Sequence, residues 1–261
     1  MSILDNILAA KRAEISAAQT RVSQAEIEQL AAARRDSPRG FAVALEAPGV
    51  RVIAELKRAS PSRGDIRLGL DAAATARAYA CGGAAALSVL TDAAFFKGSA
   101  EDLKLAREAT GLPVLRKDFI ISAYQVYESC AMGADAILLI VRALDDESLE
   151  ALHRLALGLG LDVLTEVYDA QDAERANRIG ARLVGVNNRN LADFKTDARH
   201  TERMAGLLPP GVPVVALSGI SSDADVSLAL AAGIRRFLVG ETLVRASDPA
   251  GLLRLWISLE V

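Results

Sequence analysis

Eight short apolar runs, each followed by a polar loop and a helical pattern, occupy the chain after residue 49. They are Val50–Leu56, Ala84–Leu90, Pro113–Leu115 leading to Lys117, Ala134–Ile140, Leu161–Val167, Arg182–Asn187, Val212–Leu217 and Ile234–Val239. Most are apolar nearly throughout instead of alternating, as strands buried on both faces of a parallel sheet are. The intervening segments carry helix signals. Ser99-x-x-Asp102 and Ser222-x-x-Asp225 resemble capping boxes, and Asp248 precedes a proline at a first helical position. Ala123, Val126, Tyr127, Cys130 and Ala131 keep helical spacing. Gly111, Gly133, Gly160, Gly180, Gly211 and Gly233 stand at the helix-to-strand joints, where a left-handed C-terminal cap turns the chain. Eight strand–helix units fit a (β/α)8 TIM barrel of the α/β class. A doubly wound open sheet is the alternative. It usually shows a glycine fingerprint after its first strand, where this chain reads Lys57-Arg58-Ala59-Ser60-Pro61-Ser62.

The opening residues differ. Leu4, Ile7, Leu8 and Ile15 mark one helical face, Ile27, Leu30 and Ala31 a second, and Asp36-Ser37-Pro38-Arg39-Gly40 breaks the pattern. Residues 1–48 are expected to form an N-terminal helical extension packed across the catalytic face, and residues 49–261 the barrel, in a single domain overall.

Charge and composition exclude several functions. Thirty Lys and Arg against 33 Asp and Glu leave a net charge of −3, so no nucleic-acid partner is expected. The longest apolar run, Ala136–Val141, is far short of a membrane span. Cys81 and Cys130 form no C-x-x-C pair and read as two reduced core thiols. Lys11 and Arg12 follow the first apolar turn, so no secretory signal pattern appears and a cytoplasmic location is expected. The histidines, His153 and His200, have no second ligand at metal spacing, so no metal is expected. The chemistry therefore falls to Lys, Glu, Asp, Ser or Arg.

In a barrel of this kind the active site lies at the C-terminal ends of the strands. Read in order, those ends carry Glu55, Lys57 and Ser60; Lys117, Asp118 and Phe119; Glu166; Asn187, Asn188 and Arg189; Ser218 and Gly219; and Gly240 and Glu241. A single rim charge is ordinary. Two lysines and two glutamates converging on one axis are not required by packing, and they would tune each other's ionisation. Gly219 and Gly240 follow the seventh and eighth runs, and a helix start follows each, so their backbone amides can meet at a phosphate. The residues alone lead to a phosphate-binding barrel.

Five motifs add a resemblance. Ile53-Ala-Glu-Leu-Lys-Arg-Ala-Ser-Pro-Ser62, Leu115-Arg-Lys-Asp-Phe-Ile120, Leu164-Thr-Glu-Val167, Gly185-Val-Asn-Asn-Arg-Asn-Leu191 and Ser218-Gly-Ile-Ser221 resemble the indole-3-glycerol phosphate synthase family over essentially the whole chain. The resemblance implies a carboxy-lyase of tryptophan biosynthesis with no cofactor. It would convert 1-(2-carboxyphenylamino)-1-deoxyribulose 5-phosphate to indole-3-glycerol phosphate, CO2 and water. The implied catalytic set is Glu55, Lys57, Lys117, Glu166, Asn187 and Ser218. Ser60, Phe119, Arg189 and Leu191 match substrate-lining positions, and Gly219, Gly240 and the amide of Glu241 match the phosphate loop. The partner is then a small phosphorylated substrate, with a monomer expected and a weak dimer the alternative. Two positions depart from the family: Leu217 stands where Glu is expected, and Glu241 where some members have Ser.

The implied chemistry suits these side chains. Ring closure needs an acid at the ketone oxygen, assigned to Lys117 with a pKa lowered by burial and a cationic neighbour. Dehydration needs an acid for the leaving hydroxyl and a base for the aniline proton; Glu166 is the base. Lys57 either holds the carboxylate or is the second acid. Glu55 and Asn187 would grip the ribulose hydroxyls, Arg189 and Ser60 the benzoate carboxylate, and Phe119 and Leu191 the ring. Strand alternation leads us to expect Leu217 to face the surrounding helices if Ser218 faces the substrate. A sugar-phosphate isomerase of the same pathway would want Cys where Glu55 or Lys57 stands and Asp in place of Asn187. A non-catalytic, anion-binding barrel would not need to keep every ionisable group.

Overall fold

The computed structural model describes residues 2–188 and 200–259. Eight parallel strands close into a barrel: β1 (Arg51–Leu56), β2 (Ala86–Leu90), β3 (Val114–Lys117), β4 (Ala136–Ile140), β5 (Asp162–Val167), β6 (Val184–Asn187), β7 (Val214–Leu217) and β8 (Arg236–Val239). Each strand pairs with the next, and β8 returns to β1 with Arg51 opposite Arg236 and Ala54 opposite Val239. Closure leaves the barrel without an edge strand. Every apolar run supplies one strand, trimmed by up to two residues at its start. Ile53, Leu115, Leu138, Leu164, Val215, Leu217 and Leu238 fill the interior. Their neighbours Val52, Ala54, Val114, Ile137, Val163, Val186 and Phe237 pack outward under the helices. Both faces of each strand are thus apolar, which is why the runs do not alternate.

The extension contains α1 (Ile3–Arg21), α2 (Gln24–Ala32) and α3 (Phe41–Glu46). Around the barrel follow α4 (Ala72–Cys81), the short α5 (Ala93–Phe96), α6 (Ala100–Ala109), α7 (Ala123–Ala131), α8 (Asp146–Gly158), α9 (Ala170–Arg178), α10 (His200–Ala205), α11 (Asp223–Ala231), α12 (Glu241–Arg245) and α13 (Pro249–Ile257). Ser99, Ser222 and Asp248 cap α6, α11 and α13 as their spacing predicts. Of these three, Ser222 alone forms the reciprocal box; Asp102, three residues after Ser99, turns instead to Arg58. Five of the six joint glycines take positive φ; Gly111 does not. Cys130 is buried, but Cys81 is exposed at the end of α4, on the side away from buried Ala72, Ala76 and Tyr79, so it is not a core thiol. No helix among the described residues is long and apolar enough to cross a membrane.

The extension reaches the catalytic mouth through α1, whose Ile3, Leu4 and Ile7 line the cavity there. It then continues to the opposite end. Tyr124 at the start of α7 donates to the Val22 carbonyl at 3.1 Å, and α2 packs along α7 with Ala31 beside Cys130. At the N-terminal ends of the strands, the backbone N–H of Arg39 donates to Asp135 at 3.0 Å, just before β4. Helix α3 closes this face with fully buried Phe41 and Leu45. Each contributes about 2–3 kcal/mol of hydrophobic stabilisation. The termini of α3 are satisfied by strand starts: Ala42 N–H donates to Asp162 at 2.9 Å, while Arg51 and Arg236 donate to the carbonyls of Ala44 and Leu45 at 3.0 and 2.6 Å. Packing across the mouth is therefore the work of α1 alone. The Asp36–Gly40 break sends the chain beneath the barrel, where the interior needs an apolar plug.

Candidate active site

A cavity of about 740 Å³ opens at the C-terminal ends of the strands. Inward-facing positions in the middle of the strands are apolar, and the last inward position of several strands is polar. Glu55, Lys117, Glu166 and Asn187 therefore converge on the cavity, joined by Lys57, Ser60, Phe119, Ser218, Gly219, Gly240 and Glu241 from the loops and helix starts that follow the strands. Two hydrogen-bonded groups face each other. On one wall, Lys57 Nζ lies 2.9 Å from Glu55 Oε1 and Lys117 Nζ lies 3.5 Å from Glu55 Oε2. On the other, Asn187 Nδ2 donates to Glu166 Oε1 at 3.0 Å, and Ser218 Oγ donates to Asn187 Oδ1 at 2.9 Å. Asn188 fixes the turn below by donating to the Ser218 carbonyl at 3.1 Å.

Burial pushes the Glu55 carboxyl up, but the ammonium groups of Lys57 and Lys117 outweigh it and hold Glu55 at about 2. Burial pulls Lys117 down, but Glu55 and then Glu166 outweigh it, so its pKa is raised. This corrects the expectation of a lowered lysine. The neighbour that decides the shift is an anion lying between the two lysines, not a cation. Lys117 is consequently a charged, proton-bearing group at neutral pH.

Comparison with known proteins settles which barrel this is. The family model described as indole-3-glycerol phosphate synthase matches residues 4–254. The chain belongs to the indole-3-glycerol phosphate synthase family. It is 51% identical to the indole-3-glycerol phosphate synthase of Desulfosudis oleivorans over 97% of both chains. It is 48% identical to that of Bordetella pertussis over 95% of both chains. Among solved structures, thiamine phosphate pyrophosphorylase from Pyrococcus furiosus superposes with a TM-score of 0.61 at 20% identity, covering 80% of this chain and 95% of that one. The N-acetylmannosamine-6-phosphate 2-epimerase from Clostridium perfringens gives 0.60 at 15%, covering 81% and 94%. These two show the shared barrel alone.

Every position carried over from the synthase family motifs that falls among the described residues lies on this cavity; Arg189 and Leu191 lie outside the described residues. Leu217 was expected to face the helices, and that is corrected. It lies inside the barrel and lines the cavity, and a Cβ on inward-facing Gly185 would come within 2.6 Å of its Cδ1. Strand alternation stops at Leu217, because Ser218 takes a left-handed φ of +70°. That turn lets consecutive side chains both reach the cavity. Gly240 has a steric role besides its backbone one: a Cβ there would collide with Glu55 Oε1 and sit 3.1 Å from Lys57 Nζ. Sequence reasoning missed Phe96 and the apolar start of α1 as lining residues. It also missed Arg63 and Arg245, which lie 3.4 and 3.1 Å from the Glu241 carboxylate at the rim. Phe96 had one available signal, the Asp92 cap before Ala93–Phe96.

Proposed function

We propose that the cavity closes, decarboxylates and dehydrates 1-(2-carboxyphenylamino)-1-deoxyribulose 5-phosphate to give indole-3-glycerol phosphate. One observation carries the reading: a protonated lysine on one wall faces a hydrogen-bonded carboxylate on the other, across a single cavity that ends in two glycine turns. The phosphate binds at the amides of Gly219, Gly240 and Glu241, with the helix starts behind them. Phe119 packs on the benzoate ring, while Ser60 and Arg189 take its carboxylate and Leu191 its edge.

Lys117 gives its proton to the ketone oxygen as the aromatic carbon bearing the carboxylate attacks. The new carbon–carbon bond leaves a hydroxyl at the former ketone carbon. Release of CO2 returns the bonding pair to the ring. Glu166 then takes the aniline proton as the hydroxyl leaves, protonated, as water, and a proton returns to the nitrogen as the adjacent methylene carbon gives one up, which leaves the aromatic indole N–H. Asn187 orients Glu166 and is itself oriented by Ser218. Lys57 stands against Gly240, on the phosphate side of Glu55, which favours its acting on the leaving hydroxyl over holding the distant benzoate carboxylate. Glu55 serves as the anion that keeps Lys117 charged and pairs with Lys57, instead of gripping ribulose hydroxyls. The reading keeps the expected monomer, with a weak dimer the alternative, and a cytoplasmic location.

The test adds the carboxyphenylamino substrate to purified protein and follows indole fluorescence. Emission should grow with substrate consumption and CO2 release. A folded protein that consumes none of it refutes the reading.

A further inference from the structure

Lys11 of α1 is buried, with 1% of its side chain exposed, yet it belongs to the extension and not to the barrel. Its Nζ lies 2.9 Å from Asp92 Oδ2, 2.9 Å from Asp118 Oδ1 and 2.8 Å from Glu14 Oε2. Burying an ammonium is costly unless it is paired, and here two buried carboxylates from the loops after β2 and β3 meet it. Each of those carboxylates also holds a backbone amide of the cavity wall. Asp92 Oδ1 accepts from the N–H groups of Phe95 and Phe96 at 2.7 and 3.3 Å. Asp118 Oδ1 accepts from Phe119 N–H at 2.8 Å. The rings of Phe96 and Phe119 meet with centroids 6.1 Å apart, and both line the cavity.

We propose that Lys11 is a positioning residue for the reaction: by bridging Asp92 and Asp118 it sets the Phe96–Phe119 wall against which the substrate's aromatic ring packs. The inference rests on the proposed reaction. Without the ammonium, the two carboxylates repel and the loops carrying the two rings separate. Asp118 retains Arg116 at 3.2 Å, whereas no other cation among the described residues lies within ion-pair distance of Asp92, so the Phe96 side should yield first. The phosphate turns at Gly219 and Gly240 follow β7 and β8, on other strands, and should be untouched.

The experiment titrates two probes into the full chain and into Lys11→Met. One is the unreactive ribitol analogue of the substrate, with its ketone reduced; the other is inorganic phosphate. The analogue's Kd should rise roughly tenfold or more, the scale of a misplaced binding wall, while that of phosphate stays within about twofold. A purely structural anchor would weaken both or neither, and either result overturns the proposal. If Lys11→Met does not fold, Asp92→Asn takes its place. It keeps an oxygen to cap α5 and removes the charge that Lys11 meets; unchanged analogue affinity there overturns the proposal equally. A wild-type chain that binds phosphate but not the analogue would instead refute the reading of the reaction, and the proposal with it.

Discussion

Lys117 Nζ and Glu55 Oε2 stand 3.5 Å apart, and Lys57 holds the other oxygen of the same carboxylate. The shared anion keeps Lys117 protonated above the ordinary lysine range. Loss of that proton therefore does not limit kcat/KM until strongly alkaline pH. Removing the anion leaves burial unopposed except by Glu166. Glu55→Gln should thus move the alkaline limb of kcat/KM toward lower pH, by about one unit or more. A pH–rate profile of both proteins checks this, and an unmoved limb would show that Glu55 does not control the lysine.

Lys117→Met should nearly abolish turnover. Glu166→Gln should lower kcat by roughly 10² to 10⁴, the scale of one positioned acid or base. Both should keep the circular dichroism of the parent, because the two side chains project into the cavity and not into the packed layers. Near-normal turnover in Lys117→Met would remove it from the mechanism.

The two glycine turns should respond differently. Gly219 has a φ of +84°, so Gly219→Ala strains the backbone of the phosphate turn by about 1–2 kcal/mol and should raise KM. Gly240→Ala instead forces a methyl group against Glu55 and Lys57, so kcat should fall as well. Steady-state kinetics separate the two patterns.

Because Leu217 lines the cavity opposite Asn187 in the strand register, Leu217→Glu places a carboxylate where the family resemblance leads us to expect one. It should raise kcat/KM several-fold with a small change in melting temperature. A lower kcat/KM, or a fall of many degrees in Tm, would show that this chain has adapted to the apolar residue.

The N-terminal plug offers a stability measurement. Phe41→Ala removes a fully buried ring at the face remote from the chemistry, and should cost about 3–5 kcal/mol in denaturant unfolding. The KM of the folded variant should be unchanged.

The barrel was legible because both faces of each strand are buried, which leaves one unmistakable run per strand. The polar residues ending those runs, Glu55, Lys117, Glu166 and Asn187, marked the site for the same reason: each interrupts an apolar segment at its C-terminal end. What escaped depended on contacts distant in sequence. The ionisation of Lys117 follows from Glu55, 62 positions earlier. The direction of Leu217 follows from a left-handed turn at Ser218, which is not glycine and so leaves no mark in the sequence. The descent of the extension to the far end of the barrel requires acceptors and donors at Asp135, Asp162 and Arg236, which mean nothing until the strands are arranged.

Helix α3 is tied to Asp162, 120 positions away, and to Arg236, 191 positions away. The ribosome therefore delivers its binding surface last. Helix α3 leaves the exit tunnel before any barrel strand and must wait, with Phe41 and Leu45 uncovered, until β8 has been synthesised and the ring of strands has closed. Such distant pairing slows folding and leaves apolar surface open in the meantime. A helix made before every strand of the barrel is thus among the last to be secured, and a nascent chain stalled before residue 236 holds an open barrel with its stopper still outside.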